Sequence, residues 1–121
     1  MKALQNIFST PKKNFKVTKN DINNNKALLP NVLYQQMEGF VWSLLSNQED
    51  MINETPKLFK LKLLKNAYLD DKLQLNAEVI ALKNQELNLL VLVNKESKNN
   101  ESIICKAIFK LQLKETISKA S

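Results

Sequence analysis

The sequence predicts an α+β fold in which an antiparallel β-sheet wraps around one long central α-helix. Residues 31–46 form a long apolar segment that lacks the alternation of a strand. From Lys57 onward the pattern changes to a period of two, which is the period of side chains on a β-strand. A sheet with one apolar face needs a covering layer, and the apolar helix can supply it.

The length and composition predict one domain over residues 1–121. The chain has 121 residues, of which 44% are hydrophobic and 25% charged. Residues 1–13 are predicted to be an irregular N-terminal segment, because Pro11 and two lysines interrupt any pattern. Neither a signal peptide nor a membrane span is predicted, and the single cysteine, Cys105, fits a reducing compartment. We therefore expect a cytoplasmic protein without a membrane partner.

Two residue types are absent, and their absence excludes several kinds of site. Without histidine, the chain cannot build a histidine base, a Ser-His dyad or a His-ligated metal centre. All 18 cationic side chains are lysines, so the bidentate fork that arginine offers to phosphates and guanine edges is missing. Although the net charge is +6, we predict neither a nucleic-acid partner nor a metal or cofactor.

The N-terminal half reads as a strand, a loop and the helix. "NFKVTKND" alternates Phe15 and Val17 with polar residues, and "INNNKALLP" has the composition of a loop. Asn31 is the predicted N-cap of a helix that runs to about Ser46. "NQEDMINETP" is predicted to be a connector that Pro56 ends.

Four long strands with short polar links are predicted in the C-terminal half. The links "DD", "KNQ" and "KESKNN" favour antiparallel neighbours in chain order, which is a meander. Each strand has one apolar face, and the predicted inward positions are Phe59, Leu61, Leu63, Leu73, Leu75, Ala77, Val79, Ala81, Leu87, Leu89, Val91, Val93, Ile103, Cys105, Ala107, Phe109, Leu111 and Leu113.

Over residues 14–113 the order of elements resembles the hotdog fold. "LLPNVLYQQMEGF" is similar to the central helix of that fold, and "NAYLDDKLQLNAEV" to its second and third strands. In the latter segment Asp70 stands where the family usually has glycine, and Asp71 stands at the family's aspartate. The resemblance implies a homodimer, or a dimer of dimers, that binds acyl-CoA or acyl-carrier protein between its subunits.

The thioesterases of the phenylacetate-pathway type carry a carboxylate on the central helix about seven residues after a pair of glycines. Counting along this helix places Glu38 at the carboxylate, with Pro30 and Asn31 where the two glycines would be. The resemblance therefore implies that Glu38 is catalytic, although the glycine geometry at the helix start is lost.

Two other branches of the family match less well. In the hydroxybenzoyl-CoA type the catalytic aspartate lies in a "D-x-D" stretch before the helix; here "DIN" aligns, which places Asn23 at that aspartate, and an amide is not a base. In the β-hydroxyacyl-carrier-protein dehydratases the acid on the helix would fall on Gln36. Their histidine is absent, so that chemistry cannot run as the family performs it.

Glu38 is the predicted base or nucleophile of the site. A carboxylate on an apolar helix is partly desolvated, which makes it a stronger base. Backbone N–H groups near Asn31 and Val32 at the helix start are the predicted binders of the thioester carbonyl oxygen, and Gln35 shares a helix face with Glu38. The alternative is that Glu38 is hydrogen-bonded at a dimer interface. Gly39 costs the helix roughly 1 kcal/mol, which a close approach of a partner or a ligand would explain.

The remaining prominent residues are predicted to be structural. Trp42, Met37 and Cys105 are assigned to the core. Five lysines on two neighbouring strands are read as a solvated face that could also attract the phosphates of CoA or an acidic carrier protein. They are Lys57, Lys60, Lys62, Lys65 and Lys72.

Together these residues predict a small acyl-thioesterase of lipid metabolism that acts on acyl-CoA or acyl-carrier protein. Two alternatives stay open. One is a non-catalytic hotdog protein that binds acyl chains or serves as a partner subunit. The other is a degenerate dehydratase-like protein of a fatty-acid or polyketide cluster that has lost its histidine.

Overall fold

In the part of the chain that the structure describes, five antiparallel strands form one sheet and one α-helix packs against it. The computed structural model describes residues 12–46, 55–96 and 102–114. The strands follow the spatial order β1-β3-β4-β5-β2, so the predicted α+β class is confirmed. The elements are β1 (Lys12–Lys16), a short 3-10 helix (Lys19–Asp21), α1 (Pro30–Leu45), β2 (Lys57–Leu63), β3 (Lys72–Lys83), β4 (Glu86–Lys95) and β5 (Ser102–Gln112).

The element bounds differ from the predicted ones in places. β1 begins at Lys12, so the last two residues of the predicted irregular segment 1–13 belong to a strand. The connector prediction for 47–54 and the hairpin tip at 97–100 lie outside the described residues. Within the described part of the chain, the helices lack the length and apolarity needed to cross a membrane.

The core lies between α1 and the inner face of the sheet. Alternation is cleanest in β4, where Leu87, Leu89, Val91 and Val93 are all buried as predicted. In β5, Phe109 pairs with Leu89, and both side chains are buried against the helix side. β4 therefore forms the centre of the sheet, with one apolar face as its pattern predicted.

The predicted meander is wrong for β2, which pairs with β5 and not with β3. The link over residues 64–71 is not a tight turn. It starts where the N–H of Leu64 donates to Ile104 O (2.7 Å). It then runs along the loop before α1, where the N–H of Leu28 donates to Ala67 O (2.8 Å) and that of Leu69 to Lys26 O (2.9 Å). These bonds satisfy the backbone of the link and place β2 at the far edge of the sheet.

Three bulges interrupt the alternation, at Phe59 in β2, at Ile80 in β3 and at Ile104 in β5. An extra residue in one strand reverses the face of every side chain beyond it. The predicted inward positions of Phe59, Ala81 and Ile103 are therefore wrong. In β5, Ile104 is buried in place of Ile103.

The turns that bound β3 depend on left-handed backbone. Asn84 and Gln85 have φ of 54° and 67°, as a two-residue hairpin turn requires. Asp70 has φ of 72°, in the left-handed region that glycine adopts most easily. The next carboxylate fixes the turn, since Asp71 Oδ2 accepts a hydrogen bond from the N–H of Tyr68 (2.8 Å) and Oδ1 lies 3.4 Å from Lys95 Nζ.

Cys105 is buried in the core, as predicted, and this gives a testable property. Burial raises the pKa of its thiol from 9.0 to about 11. The native protein is therefore expected to resist thiol reagents near about pH 8 and to react once unfolded in guanidinium chloride. The thiol of the unfolded chain ionises at a lower pH than the buried thiol of the folded protein. The stability that the buried neutral thiol contributes is therefore fully present below pH 9.0 and is lost as the pH rises through about 11. Fast modification of the folded protein in a timed thiol assay would contradict this.

Candidate active site

The N-cap of helix α1 lies two residues earlier than predicted. Its N-cap is Leu29 and Pro30 is its first residue, so the assignment of Asn31 as the N-cap is wrong. Proline fits this position because its fixed φ matches the helix and its missing N–H would be unpaired anyway. The N–H groups of Val32 and Leu33 both donate to Leu29 O at 3.1 Å. Among the described residues the N–H of Asn31 makes no such bond, so it is the amide left for a ligand at the helix start.

The helix is covered on one side only. Asn31, Gln35, Glu38 and Trp42 follow the spacing of a single helix face, and this face is exposed except for the half-buried Glu38. Trp42 is 42% exposed, so its assignment to the core is wrong. The buried side of the helix consists of Leu33, Met37, Phe40, Val41 and Leu45, which confirms the core position of Met37.

Tyr34 holds the carboxylate of Glu38. Its hydroxyl donates a hydrogen bond to Glu38 Oε2 at 3.3 Å. Its ring stacks on Phe109 of β5, with 6.5 Å between the centroids and 20° between the planes. Desolvation raises the pKa of Tyr34, and the charge of Glu38 and the hydrogen bond to it raise it further. The phenol therefore keeps its proton and acts on Glu38 as a donor.

The helix flank that carries Tyr34 and Glu38 faces an uncovered part of the sheet. Phe109, on which Tyr34 stacks, pairs with Leu58 of the edge strand β2. Every residue of β2 is exposed. Leu61 and Leu63 pair with buried positions of β5, so they lie on the inner face of the sheet without a covering layer. An open apolar strip thus borders β5, the strand whose Phe109 stacks on Tyr34, the partner of Glu38.

The predicted site residues are separated along the helix. Asn31 and Glu38 are seven residues apart, which is about 10 Å of helix rise. Gln35 lies between them on the same exposed face, whereas Val32 packs against the core on another side of the helix. Within one subunit, the carboxylate of Glu38 and the N–H of Asn31 are therefore too far apart along the helix to contact one carbonyl group directly.

Asn23 lies in the loop before α1, and its side-chain amide is held by that loop. Its Oδ1 accepts hydrogen bonds from the N–H groups of Asn25 (2.8 Å) and Ala27 (3.1 Å). These bonds fix the orientation of the amide and leave its NH₂ group as a donor. The loop is tied to the helix start, since the N–H of Leu29 donates to Asp21 O (2.8 Å). The "DIN" segment drew attention to Asn23 as a missing base, but its geometry suits a hydrogen-bond donor.

Solved structures of similar shape were found, although no protein-family model and no curated protein matches the sequence. An acyl-CoA hydrolase from Staphylococcus aureus, in complex with butyryl coenzyme A, coenzyme A and coenzyme A disulfide, aligns with a TM-score of 0.71 at 15% identity over 89% of this chain and 68% of its own. A hexameric thioesterase from Yersinia pestis aligns with a TM-score of 0.65 at 13% identity over 85% of each chain. A hypothetical thioesterase protein with coenzyme A from Streptococcus pneumoniae gives 0.66 at 16% identity over 87% of this chain and 78% of its own.

The chain has the hotdog fold. Its α1 is the central helix of that fold, and the exposed flank of α1 that carries Glu38 faces away from the covered part of the hotdog sheet.

Gly39, the only glycine, lies on the exposed side of the hotdog helix. A Cβ atom built at this position would meet nothing within 4 Å. Packing within this subunit therefore does not require glycine here. Of the explanations that the sequence suggested, the approach of a second subunit or of a ligand is left.

The lysine cluster is arranged differently from the prediction. Lys72 of β3 pairs with Lys16 of β1 and lies near the opposite edge of the hotdog sheet from β2. The prediction that the five lysines occupy neighbouring strands is therefore wrong. The lysines of β2 lie instead beside those of β5, at Lys106 and Lys110.

Proposed function

We propose that the protein is an acyl-CoA thioesterase whose site forms between two subunits of a homodimer, with Glu38 as the catalytic carboxylate. The proposal rests mainly on a match of three residues in type and spacing with the Staphylococcus aureus acyl-CoA hydrolase. The contacts of Glu38 and Asn23 give these residues suitable chemical roles.

Structures of that hydrolase carry alanine in place of an asparagine, an aspartate or a threonine. The asparagine precedes the aspartate by 15 positions, and the threonine follows it by 17. In this chain Asn23 precedes Glu38 by 15 positions and Thr55 follows it by 17. An amide, a carboxylate and a hydroxyl thus recur at the same spacing. Thr55 is exposed and lies just before β2.

A second subunit would bring these groups together. Asn23 lies near the start of α1, and Glu38 lies eight residues beyond Pro30, which is about 12 Å along the helix. A two-fold axis beside β2 would place the helix start of one subunit near Glu38 of the other. Exposed Leu61, Leu63 and Trp42 supply apolar surface for such an interface.

The residues support the following hydrolysis. Glu38, oriented by Tyr34, takes a proton from water as the water oxygen bonds to the thioester carbon. The Asn23 NH₂ group and the N–H of Asn31 stabilise the negative carbonyl oxygen. The C–S bond then breaks, and the thiolate of coenzyme A leaves with the proton held by Glu38. Val32 follows Asn31 in the first turn of the helix, and the side chain of Gln35 offers a further polar contact to the substrate.

The function is tested by following thiol release from a panel of acyl-CoA esters of increasing chain length. Asn23→Asp keeps the Oδ1 acceptor that holds the loop but removes the NH₂ donor, so we expect kcat/KM to fall about 10²-fold with little change in stability. Asn25→Asp, in the same exposed loop, is the matched control and should keep wild-type activity. Equal activity in both variants would overturn the proposed role of Asn23. If none of the esters is cleaved, the proposed thioesterase activity is wrong.

One observation favours the alternative of a non-catalytic acyl-binding protein. At the helix start Pro30 has no N–H and the N–H of Val32 is already used, so fewer backbone donors face a ligand than two glycines would offer. An acyl chain that co-purifies, together with the absence of cleavage of acyl-CoA and acyl-carrier protein, would establish this alternative.

A further inference from the structure

The outer face of the sheet, on the side away from α1, carries an apolar patch. Leu90 and Leu92 of β4 alternate with buried residues, so their side chains lie on the outer face, and Leu90 pairs with Ile108 of β5. All three are only half-buried, and no described element covers them. We call Leu90, Leu92 and Ile108 the outer patch. A sheet face left to solvent usually carries polar side chains at such positions.

Lysines line one side of the outer patch. Lys60 pairs with Ile108, and Lys62 pairs directly with Lys106, all on the outer face. Like charges directly opposite each other destabilise a sheet, so this pair has a cost in the isolated subunit. Among the described residues, Lys60, Lys62 and Lys106 have no carboxylate within 4.0 Å. The positive charges of Lys60, Lys62 and Lys106 therefore have no close carboxylate within the described part of the chain.

The patch and the lysines form one cleft. Its volume is about 500 Å³, and it is lined by Lys60, Leu61, Lys62, Leu90, Lys106 and Ile108. Lys60, Ile108 and Leu90 form one row across three neighbouring strands. Such a row spans about 10 Å, which is close to the diameter of an α-helix.

We propose that this cleft docks an acidic amphipathic helix of a partner protein. The apolar stripe of that helix would lie on the outer patch, and its acidic flank would face Lys60, Lys62 and Lys106. The docking surface is on the opposite side of the sheet from Glu38, so this proposal goes beyond the thioesterase function and does not depend on it. Glu78 of β3 pairs with Leu90 on the far side of the patch, which fixes the acidic flank of the partner on the lysine side.

The charges argue against two other occupants. A second copy packed with its lysines against these lysines would be repelled, and the outer-face carboxylate of Glu86 is already 3.7 Å from Lys110. A nucleic acid would suit the charge but not the aliphatic patch, since stacking on aromatic rings is the usual apolar contact with bases.

The test measures binding of a fluorescein-labelled helical peptide of about 18 residues, with leucines at i, i+3, i+4 and i+7 spacing and glutamates along one flank. We expect saturable binding to the full chain in fluorescence anisotropy. In the double variant Lys60→Glu/Lys62→Glu the dissociation constant should rise about tenfold or more, because each charge reversal replaces attraction by repulsion. The double variant Lys12→Glu/Lys16→Glu changes the net charge equally on the same outer face at the opposite edge, and should bind like the wild type.

Further measurements decide among the occupants. If the reversed variant is unfolded by circular dichroism, the neutral pair Lys60→Gln/Lys62→Gln replaces it, with a smaller but measurable loss expected. Absence of peptide binding, or equal binding of a peptide with lysines in place of the glutamates, would overturn the proposal. So would a single-stranded oligonucleotide that binds with the same lysine dependence, or association of homodimers into larger assemblies that sedimentation shows to be lost only in the lysine variants of β2.

Discussion

Glu38→Gln is expected to lower kcat/KM for acyl-CoA hydrolysis by about 10²- to 10⁴-fold, the usual contribution of a general base. Glutamine keeps the size of the side chain and can still accept the hydrogen bond of Tyr34, which lies 3.3 Å from Glu38 Oε2. It cannot take a proton or attack the thioester carbon. The loss should therefore appear in kcat, with the free energy of unfolding close to the wild-type value, when thiol release and denaturation are both measured.

The matched control is Glu78→Gln, which removes an exposed carboxylate from the outer face of the sheet and should leave kcat/KM unchanged. Full activity of Glu38→Gln would exclude the carboxylate from the reaction.

Mixing subunits tests where the site forms. When Glu38→Gln and Asn23→Asp subunits are co-expressed, random pairing should restore about one quarter of wild-type activity. Half of the dimers are then mixed, and each mixed dimer holds one intact site. No recovery would place both groups in a site within one subunit.

Phe109→Ala is expected to lower the free energy of unfolding by about 3–5 kcal/mol, the usual cost of removing a buried aromatic ring. Phe109 is 1% exposed and contributes one of the largest buried side chains of the core. Its ring also supports Tyr34, whose hydroxyl holds Glu38. Chemical denaturation at one fixed protein concentration measures the loss, and catalytic activity should fall as well because Tyr34 loses its support.

Phe59→Ala provides the comparison within the same sheet. The ring of Phe59 is 53% exposed and its closest charged neighbour is Lys110 Nζ, 3.9 Å from the centroid. Its loss should cost about 1 kcal/mol or less, the strength of an exposed cation–π contact. Equal costs for the two phenylalanines would contradict the exposure of the Phe59 ring.

The sequence by itself determined the class of fold and the core of its central strands. Strict alternation in β4 identifies the inner face, because a period of two has no other structural meaning over ten residues. The apolar length of α1 identified the helix, and the absence of histidine excluded whole classes of catalysis.

The tertiary structure alone decided which strands are neighbours and which faces are exposed. The two-residue motif "DD" suggested a tight turn between β2 and β3. Hydrogen bonds between residues 26–28 and 67–69 instead hold the link against the loop before α1, and β2 lies at the far edge of the sheet. Bulges shift the register by a single residue, and composition does not encode where that residue is accommodated. The same limit applies to the site. The uncovered strip of β2 depends on long-range strand pairing, whereas the contact of Glu38 with Tyr34 and those of the Asn23 amide within its own loop span only two to four residues.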